Sequence, residues 1–252
     1  MAALSGLSWT LLALGCPEQA RARSREAVDA ARELAHVNTL AYALLFACFF
    51  EQYRRAWREA KDQAEALTEL STEQDFPHFL AAATVIRGWA LTQSGEVEIG
   101  LAQLRQGPPA WRATGAGLYE PYFLGLQAEA QGRFGAAEEG LDLVVKALDR
   151  VEETGERWFE AELHRIMGEL MLRLPKADPS AAEAQFEHAA ATARQQSAKL
   201  WELRATTCLA RLWREQGRRG EAHDLLSPLN SQFTEGFGTA DLETARAILE
   251  RP

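Results

Sequence analysis

The sequence predicts an all-α tandem-repeat fold: a solenoid of about six helix pairs closed by a short terminal helix. Three observations predict it. Ala is abundant while Val, Ile and Thr are sparse, which favours helix over strand. No segment shows the alternating apolar pattern of a half-buried strand. A short motif also recurs: a Gly followed five positions later by a small residue, between two runs of helical apolar periodicity.

Four copies of the motif are regular. They are Gly15–Ala20, Gly95–Gly100, Gly132–Ala137 and Gly217–Ala222. Gly ends a first helix in a left-handed turn, and the small residue lets a second helix pack closely against it. A copy at residues 55–60 carries Arg55 where Gly is expected and ends on Ala60. The fifth copy has a longer turn, Leu174 to Ser180, before its marker Ala184. Seven positions before the turn lie Ser8, Cys48, Gly88, Gly125, Gly168 and Ala210, which places small residues on the first helices as well. Paired small residues among large apolar ones are the pattern of tetratricopeptide-like (TPR-like) repeats, so the expected architecture is a right-handed α-α superhelix. The step is near 40 residues, longer than the usual 34.

In order along the chain, the first helices are expected near 3–14, 38–53, 78–93, 118–131, 157–173 and 199–216. Long second helices are expected at 18–35, 56–73, 136–154 and 181–198. Repeat boundaries are set at 1–37, 38–76, 77–116, 117–156, 157–198 and 199–235, with a cap over 239–251 whose N-cap is Thr239 or Asp241. Gly107-Pro108-Pro109 falls inside the second helix of the third pair. An interior Pro costs a helix about 3 kcal/mol, so a break is expected there, with 110–114 as a separate turn.

Composition narrows the function. The chain of 252 residues has 47% hydrophobic and 25% charged residues, ordinary for a folded soluble domain. Its net charge of −9 disfavours nucleic acid as the main ligand. The 27 basic residues are 23 Arg and 4 Lys. Cys16, Cys48 and Cys208 are scattered, as buried thiols in a reducing compartment are, and a cytoplasmic location is expected. The apolar N-terminal stretch lacks the basic residues of a signal peptide and reads as a helix. No run reaches the length of a membrane span. Phosphate-binding and dinucleotide-binding glycine motifs are absent, as are GxSxG and HExxH. Of five dispersed histidines, His164 is best placed for a role, four residues after Glu160. No catalytic residue, metal or cofactor is expected.

Several segments carry a family likeness: Glu152 to Trp158, Glu160 to Arg165, Ala210 to Arg218 and Phe233 to Phe237. Together they resemble the C-terminal TPR-like region of large bacterial proteins that join a class III adenylate/guanylate cyclase or a DNA-binding regulator domain to an ATPase module. The likeness spans essentially the whole chain. It implies a sensor or protein-interaction tail, present here as a fragment or a stand-alone relative.

In such superhelices the first helix of each pair lines the concave face. Anchoring on its small residue selects Trp9, Tyr42, Leu45, Phe49, Tyr53, Trp89, Tyr119, Tyr122 and Leu126 in the first four pairs. The last two pairs contribute Glu162, Arg165, Glu169, Arg173, Arg204, Arg211, Arg214 and Glu215. The expected groove is aromatic at its N-terminal part and arginine-rich at its C-terminal part. Aromatics and Arg dominate binding hot spots, and Arg grips carboxylates bidentately. The expected partner is a protein or peptide with an apolar and an acidic stretch. Many of these aromatics also fit an inter-repeat core. A small ligand held in the superhelix, sensed for an effector domain, is the alternative, and self-association through a terminal repeat is a third. Replacing Arg173, Arg204 and Arg211 together with Ala is expected to weaken acidic-partner binding and its salt dependence.

Overall fold

The structure, a computed structural model, describes residues 1–250. Among the described residues there are thirteen α-helices and no strand. Six are first helices: α1 (Ala2–Ala13), α3 (Val37–Tyr53), α5 (Pro77–Ser94), α7 (Glu120–Arg133), α9 (Glu160–Met171) and α11 (Lys199–Glu215). Six are second helices: α2 (Pro17–Glu33), α4 (Trp57–Glu73), α6 (Val97–Ala113), α8 (Ala137–Thr154), α10 (Pro179–Gln195) and α12 (Arg219–Asn230). The cap is α13 (Ala240–Glu250). No described helix is long and apolar enough to cross a membrane.

Left-handed residues punctuate the repeat. The turns inside pairs carry Gly15, Arg55, Gly95, Gly135 and Gly217 at positive φ. Ala35, Asp75, Gly115, Gly155, Ser197 and Gly236 do the same near the ends of the second helices. Arg55 therefore takes the conformation that Gly takes in the equivalent turns, with φ 57°.

Two markers shift. In the fourth pair the left-handed glycine is Gly135, not Gly132, and the small residue is Gly140, not Ala137. In the fifth it is Ala182, fully buried, rather than the exposed Ala184. The marker is then the fourth residue of every second helix: Ala20, Ala60, Gly100, Gly140, Ala182 and Ala222. The physical reason is backbone contact. A Cβ on Gly100 would lie 2.7 Å from the Gly88 carbonyl oxygen, and one on Gly140 would lie 2.9 Å from that of Ala128. The additional Gly132 upstream of Gly135 displaced the sequence reading.

The break expected at Gly107-Pro108-Pro109 does not occur; α6 runs through both prolines. Gly107 seats this part of the helix on α5, where a Cβ would meet Val85 Cγ2 at 2.2 Å. Pro108 is buried, and Trp111 beyond it donates its indole N–H to the Leu118 carbonyl at 2.7 Å. This packing offsets the two backbone donors that the prolines remove. Asp241 is not an N-cap either. It lies within α13 and bonds Arg204, which leaves Thr239 before the first helical residue.

The first helices touch in sequence, α1 to α3 and on to α9 and α11, and α11 returns to touch α1. The solenoid thus closes on itself. The seam is specific. Glu235 accepts the backbone N–H groups of Glu18 (2.9 Å) and Gln19 (3.2 Å), and Glu18 accepts that of Gly236 at 3.1 Å. A carboxylate from the end of the chain therefore caps the start of α2, whose own N-cap residue, Cys16, supplies no side-chain bond. Gly236 lies against Pro17, where a Cβ would come within 2.1 Å of Cγ.

Gly100→Ala is expected to lower stability by about 1–3 kcal/mol through backbone overpacking. Gly117→Ala, with open space around the added methyl, should leave it unchanged. Urea unfolding of the two variants beside the parent chain checks this.

Candidate functional site: an aromatic cluster, a charged inner face and a cavity at the seam

Closure brings the inner faces of the first helices together. Trp9 on α1 packs against Tyr53 (5.2 Å between ring centroids), Trp158 (5.2 Å) and Tyr119 (5.9 Å). Phe49 and Tyr122 meet edge to face at 5.4 Å, and Tyr53 meets Trp201 at 5.5 Å. Aromatics from five repeats form one cluster rather than the wall of an open groove. Phe49 and Tyr122 are fully buried, Tyr53 is nearly so, and Tyr42 and Tyr119 are half-buried. Burial pushes the Tyr119 phenol up to about 12 and the phenols of Tyr53 and Tyr122 well above the ordinary range. Trp89 lies apart, facing a polar chamber.

Tyr119 itself is left-handed, with φ 69° at the start of α7. Glu156 holds it there by accepting its backbone N–H at 2.9 Å, and accepts the Trp158 indole N–H at 2.8 Å. Burial raises the Glu156 carboxyl above its ordinary value, against the pull of those two donors.

The arginines divide into two sets. Arg165 is 2% exposed and donates to Glu162 (3.0 Å), Glu169 (2.8 Å) and Glu129 (2.8 Å). Arg204 donates to both oxygens of Asp241 (2.9 and 2.8 Å), to Glu162 (3.2 Å) and to the Tyr53 carbonyl. These two are structural cations with their donors committed, not free hands for a partner. Arg173 and Arg211 are 43% and 46% exposed and lie at 4.0 and 3.9 Å from Glu169. Arg214 turns to the cap and donates to the Ile248 carbonyl at 2.6 Å.

The polar chamber inside the ring has a volume of about 220 Å³. It and the adjoining recess carry Arg55, Arg133, Arg165, Arg173, Arg204 and Arg211 against Glu129, Glu162, Glu169 and Asp241. Six cations facing four carboxylates make the inner face locally positive in a chain of net charge −9. Burial would raise the Glu169 carboxyl, but Arg165, Arg173, Arg55 and Arg211 outweigh it and hold it down at about 2. Glu162 and Asp241 are lowered in the same way, against burial, by Arg165 and Arg204 respectively.

A larger cavity, about 520 Å³ and partly open, sits at the seam. It is lined by Trp9, Leu12 and Leu14 from the first repeat, by Tyr53 and Trp158, and by Ala198 and Trp201. Its volume is that of a small-ligand site, and its walls are mainly apolar. The sequence reading missed Trp158 and Trp201. They lie ten and nine residues before the small residues Gly168 and Ala210, one helical turn beyond the positions it sampled. Nothing in the sequence marked Glu235, Arg55 or Asp241 for the contacts they make, because their partners are up to 217 residues away. His164 bonds Gln185 at 2.8 Å and packs at a tilt against the ring of His188, and no cluster of three metal-ligating side chains exists among the described residues.

Fold and site together define a TPR-like helical-repeat solenoid. No family model matches the chain. Solved structures with this fold include the apo form of RapI (TM-score 0.65, 12% identity, 99% of this chain and 84% of that one). A Rap protein complexed with Competence and Sporulation Factor aligns with TM-score 0.69 at 14% identity, over 99% and 86% of the two chains. Bacillus thuringiensis PlcR, in complex with the peptide PapR7 and DNA, gives 0.69 at 13% identity, over 84% and 74%. At these identities the likeness is one of fold. An uncharacterized protein of Rhizobium meliloti (strain 1021) is 25% identical over 140 residues, which are 56% of this chain and 14% of that protein. The matched stretch is thus a small part of that relative.

Arg204→Met is expected to cost about 3–5 kcal/mol at neutral pH, because it removes the bidentate partner of buried Asp241 and one of the two cations bonded to buried Glu162. Glu162 and Asp241 are held below their ordinary values of 4.5 and 3.8, so the stability they contribute is complete above those values and is lost as pH falls below them. The gap between parent and variant should therefore narrow below about pH 4.5 as carboxylates protonate. Denaturation curves across pH 2–7 test this; a gap independent of pH contradicts it.

Proposed function

We propose that this chain is a non-catalytic interaction module that binds an apolar residue of a peptide or protein segment in the seam cavity. The observation that carries the reading is the cavity itself, about 520 Å³ walled by three tryptophans and Tyr53 where the first repeat meets the last two. Rigid aromatic walls around a partly open apolar volume make a side-chain anchor site. Two solved neighbours support it: PlcR holds the peptide PapR7, and a Rap protein holds Competence and Sporulation Factor. Acidic residues of the same segment would meet Arg173 and Arg211, the half-exposed cations of the inner face. Arg204 leaves the set of partner contacts because its donors are committed within the fold. The module would serve in the cytoplasm as the regulatory tail, or a stand-alone relative, of a bacterial signalling protein. The much longer Rhizobium relative supports the reading of a module within a larger protein.

The cavity's size also favours a second reading, a small apolar ligand sensed on behalf of a cyclase, ATPase or transcription-regulator domain. Self-association through the first repeat would have to use exposed apolar residues outside the seam, such as Leu7 of α1, since the seam occupies the inner faces of the terminal repeats.

Fluorescence polarisation with synthetic peptides carrying one Leu or Phe beside an acidic run tests the reading. Binding should require the apolar residue and fall at least about ten-fold in Ala13→Trp, which fills the cavity. Arg173→Ala with Arg211→Ala should reduce affinity several-fold and flatten its salt dependence. Peptides that bind both variants like the parent would rule the reading out. Saturable binding of small apolar compounds, with none of peptides, would select the sensor.

A further inference from the structure

The polar chamber inside the ring carries more positive charge than the fold uses. Its carboxylates are already bonded. Glu129, Glu162 and Glu169 accept from Arg165, Glu162 also accepts from Arg204, and Asp241 in the adjoining recess accepts two bonds from Arg204. Three further arginines, from the second, fourth and fifth repeats, line the chamber with no carboxylate hydrogen-bonded to them. Arg55 makes no hydrogen bond among the described residues; its Nε lies 3.5 Å from Asp241. Arg133 makes no ion pair among the described residues, and its one hydrogen bond there goes to the Gln93 side-chain carbonyl. Arg173 donates to the backbone carbonyl of Glu169 at 2.9 Å, with that residue's carboxylate 4.0 Å away.

Arg55 also occupies a strained position. The equivalent turns of four other pairs put Gly at this left-handed residue, where a Cβ crowds the following carbonyl oxygen. The strain gains no hydrogen bond within the fold, but it brings a guanidinium to the chamber.

The charge balance sets the kind of partner. With the recess counted, six cations face four carboxylates, a surplus of two. A singly charged group would leave one cation unanswered; a doubly charged one cancels the surplus. Guanidinium forks match the oxygens of phosphate and carboxylate groups. The volume of about 220 Å³ is below the roughly 300–1,000 Å³ of sites for drug-sized ligands, so the occupant is compact. The same cations hold the buried Glu169 carboxyl down at about 2, and such a field keeps an entering oxyanion ionised.

We propose that the polar chamber is a second ligand site, which takes a compact, doubly charged oxyanion (a phosphoryl group or a short dicarboxylate) on Arg55, Arg133 and Arg173. The site does not rest on the seam cavity. Arg173 is shared with the acidic part of the proposed peptide segment, so a bound dianion competes with that part.

The test is isothermal titration calorimetry of the full chain with inorganic phosphate, succinate and acetate, at pH 8 and fixed ionic strength. One site should form, and the better dianion should bind at least about ten-fold more tightly than acetate. Tighter phosphate identifies a phosphoryl site, and tighter succinate a dicarboxylate site. The bound dianion should raise the melting temperature. Arg133→Gln and Arg55→Gly should each weaken it at least about five-fold, as expected for a lost bond to a charged group. Neither should lower the melting temperature of the ligand-free chain. The first removes an unanswered charge, and the second restores the residue the other turns use. Arg23→Gln, an exposed arginine of α2 outside the chamber, should leave the affinity unchanged. The inference is overturned if no dianion binds, or if acetate binds as tightly. It is equally overturned if affinity survives both chamber variants, falls as far in Arg23→Gln, or falls only together with the melting temperature. Peptide binding at the seam is not read by this titration, so the two sites stand or fall separately.

Discussion

Arg204 is the point on which the closed solenoid depends. Its guanidinium joins α11 to the cap through Asp241, to α9 through Glu162 and to the end of α3 through the Tyr53 carbonyl. Its face also lies over Trp201 at 5.0 Å from the ring centroid. One side chain therefore ties the second, fifth and sixth repeats and the cap to one another and sets the charged network against the aromatic cluster. A buried guanidinium is tolerated only where every face of it is answered, and here two carboxylates, a carbonyl and an indole do so. Opening the ring would return a charged group and its partners to solvent separately.

Closure changes what a repeat solenoid presents. An open superhelix offers a long concave groove. Here the space inside is divided by packed aromatics into a polar, locally positive chamber and an apolar cavity at the seam. Neither belongs to a single repeat. The cavity takes walls from the first repeat, the end of α3, the start of the fifth repeat, and the junction of the fifth with the sixth. Anything held there contacts the first and the sixth repeats at once, so binding and the integrity of the seam are linked. The Glu235–Glu18 capping exchange belongs to the same economy of contacts, since the end of the chain supplies the cap that α2 lacks.

Sequence periodicity located the helices because helix pairing is local. The left-handed turn and the small residue at the crossing recur every 40 residues or so, and each can be read from a few neighbours. It erred where two glycines competed, at Gly132 and Gly135, and where packing overrode propensity, at Pro108 and Pro109. Of the residues chosen by helical phase, Phe49 and Tyr122 join the aromatic cluster, Arg173 and Arg211 border the polar chamber and its recess, and Arg214 turns to the cap. The phase could not separate inner residues that pack, such as Phe49 and Tyr122, from those that remain accessible, such as Arg173 and Arg211.

By itself, then, the sequence determined an all-α chain of paired helices with small residues at their crossings, because those features rest on contacts within about forty residues. Only the tertiary structure decided that the ends meet, that Arg165 and Arg204 are internal cations, and that Trp9, Tyr53, Trp158 and Trp201 surround a common cavity. These depend on curvature summed over six pairs, a quantity to which every interface contributes a little and which no local pattern encodes.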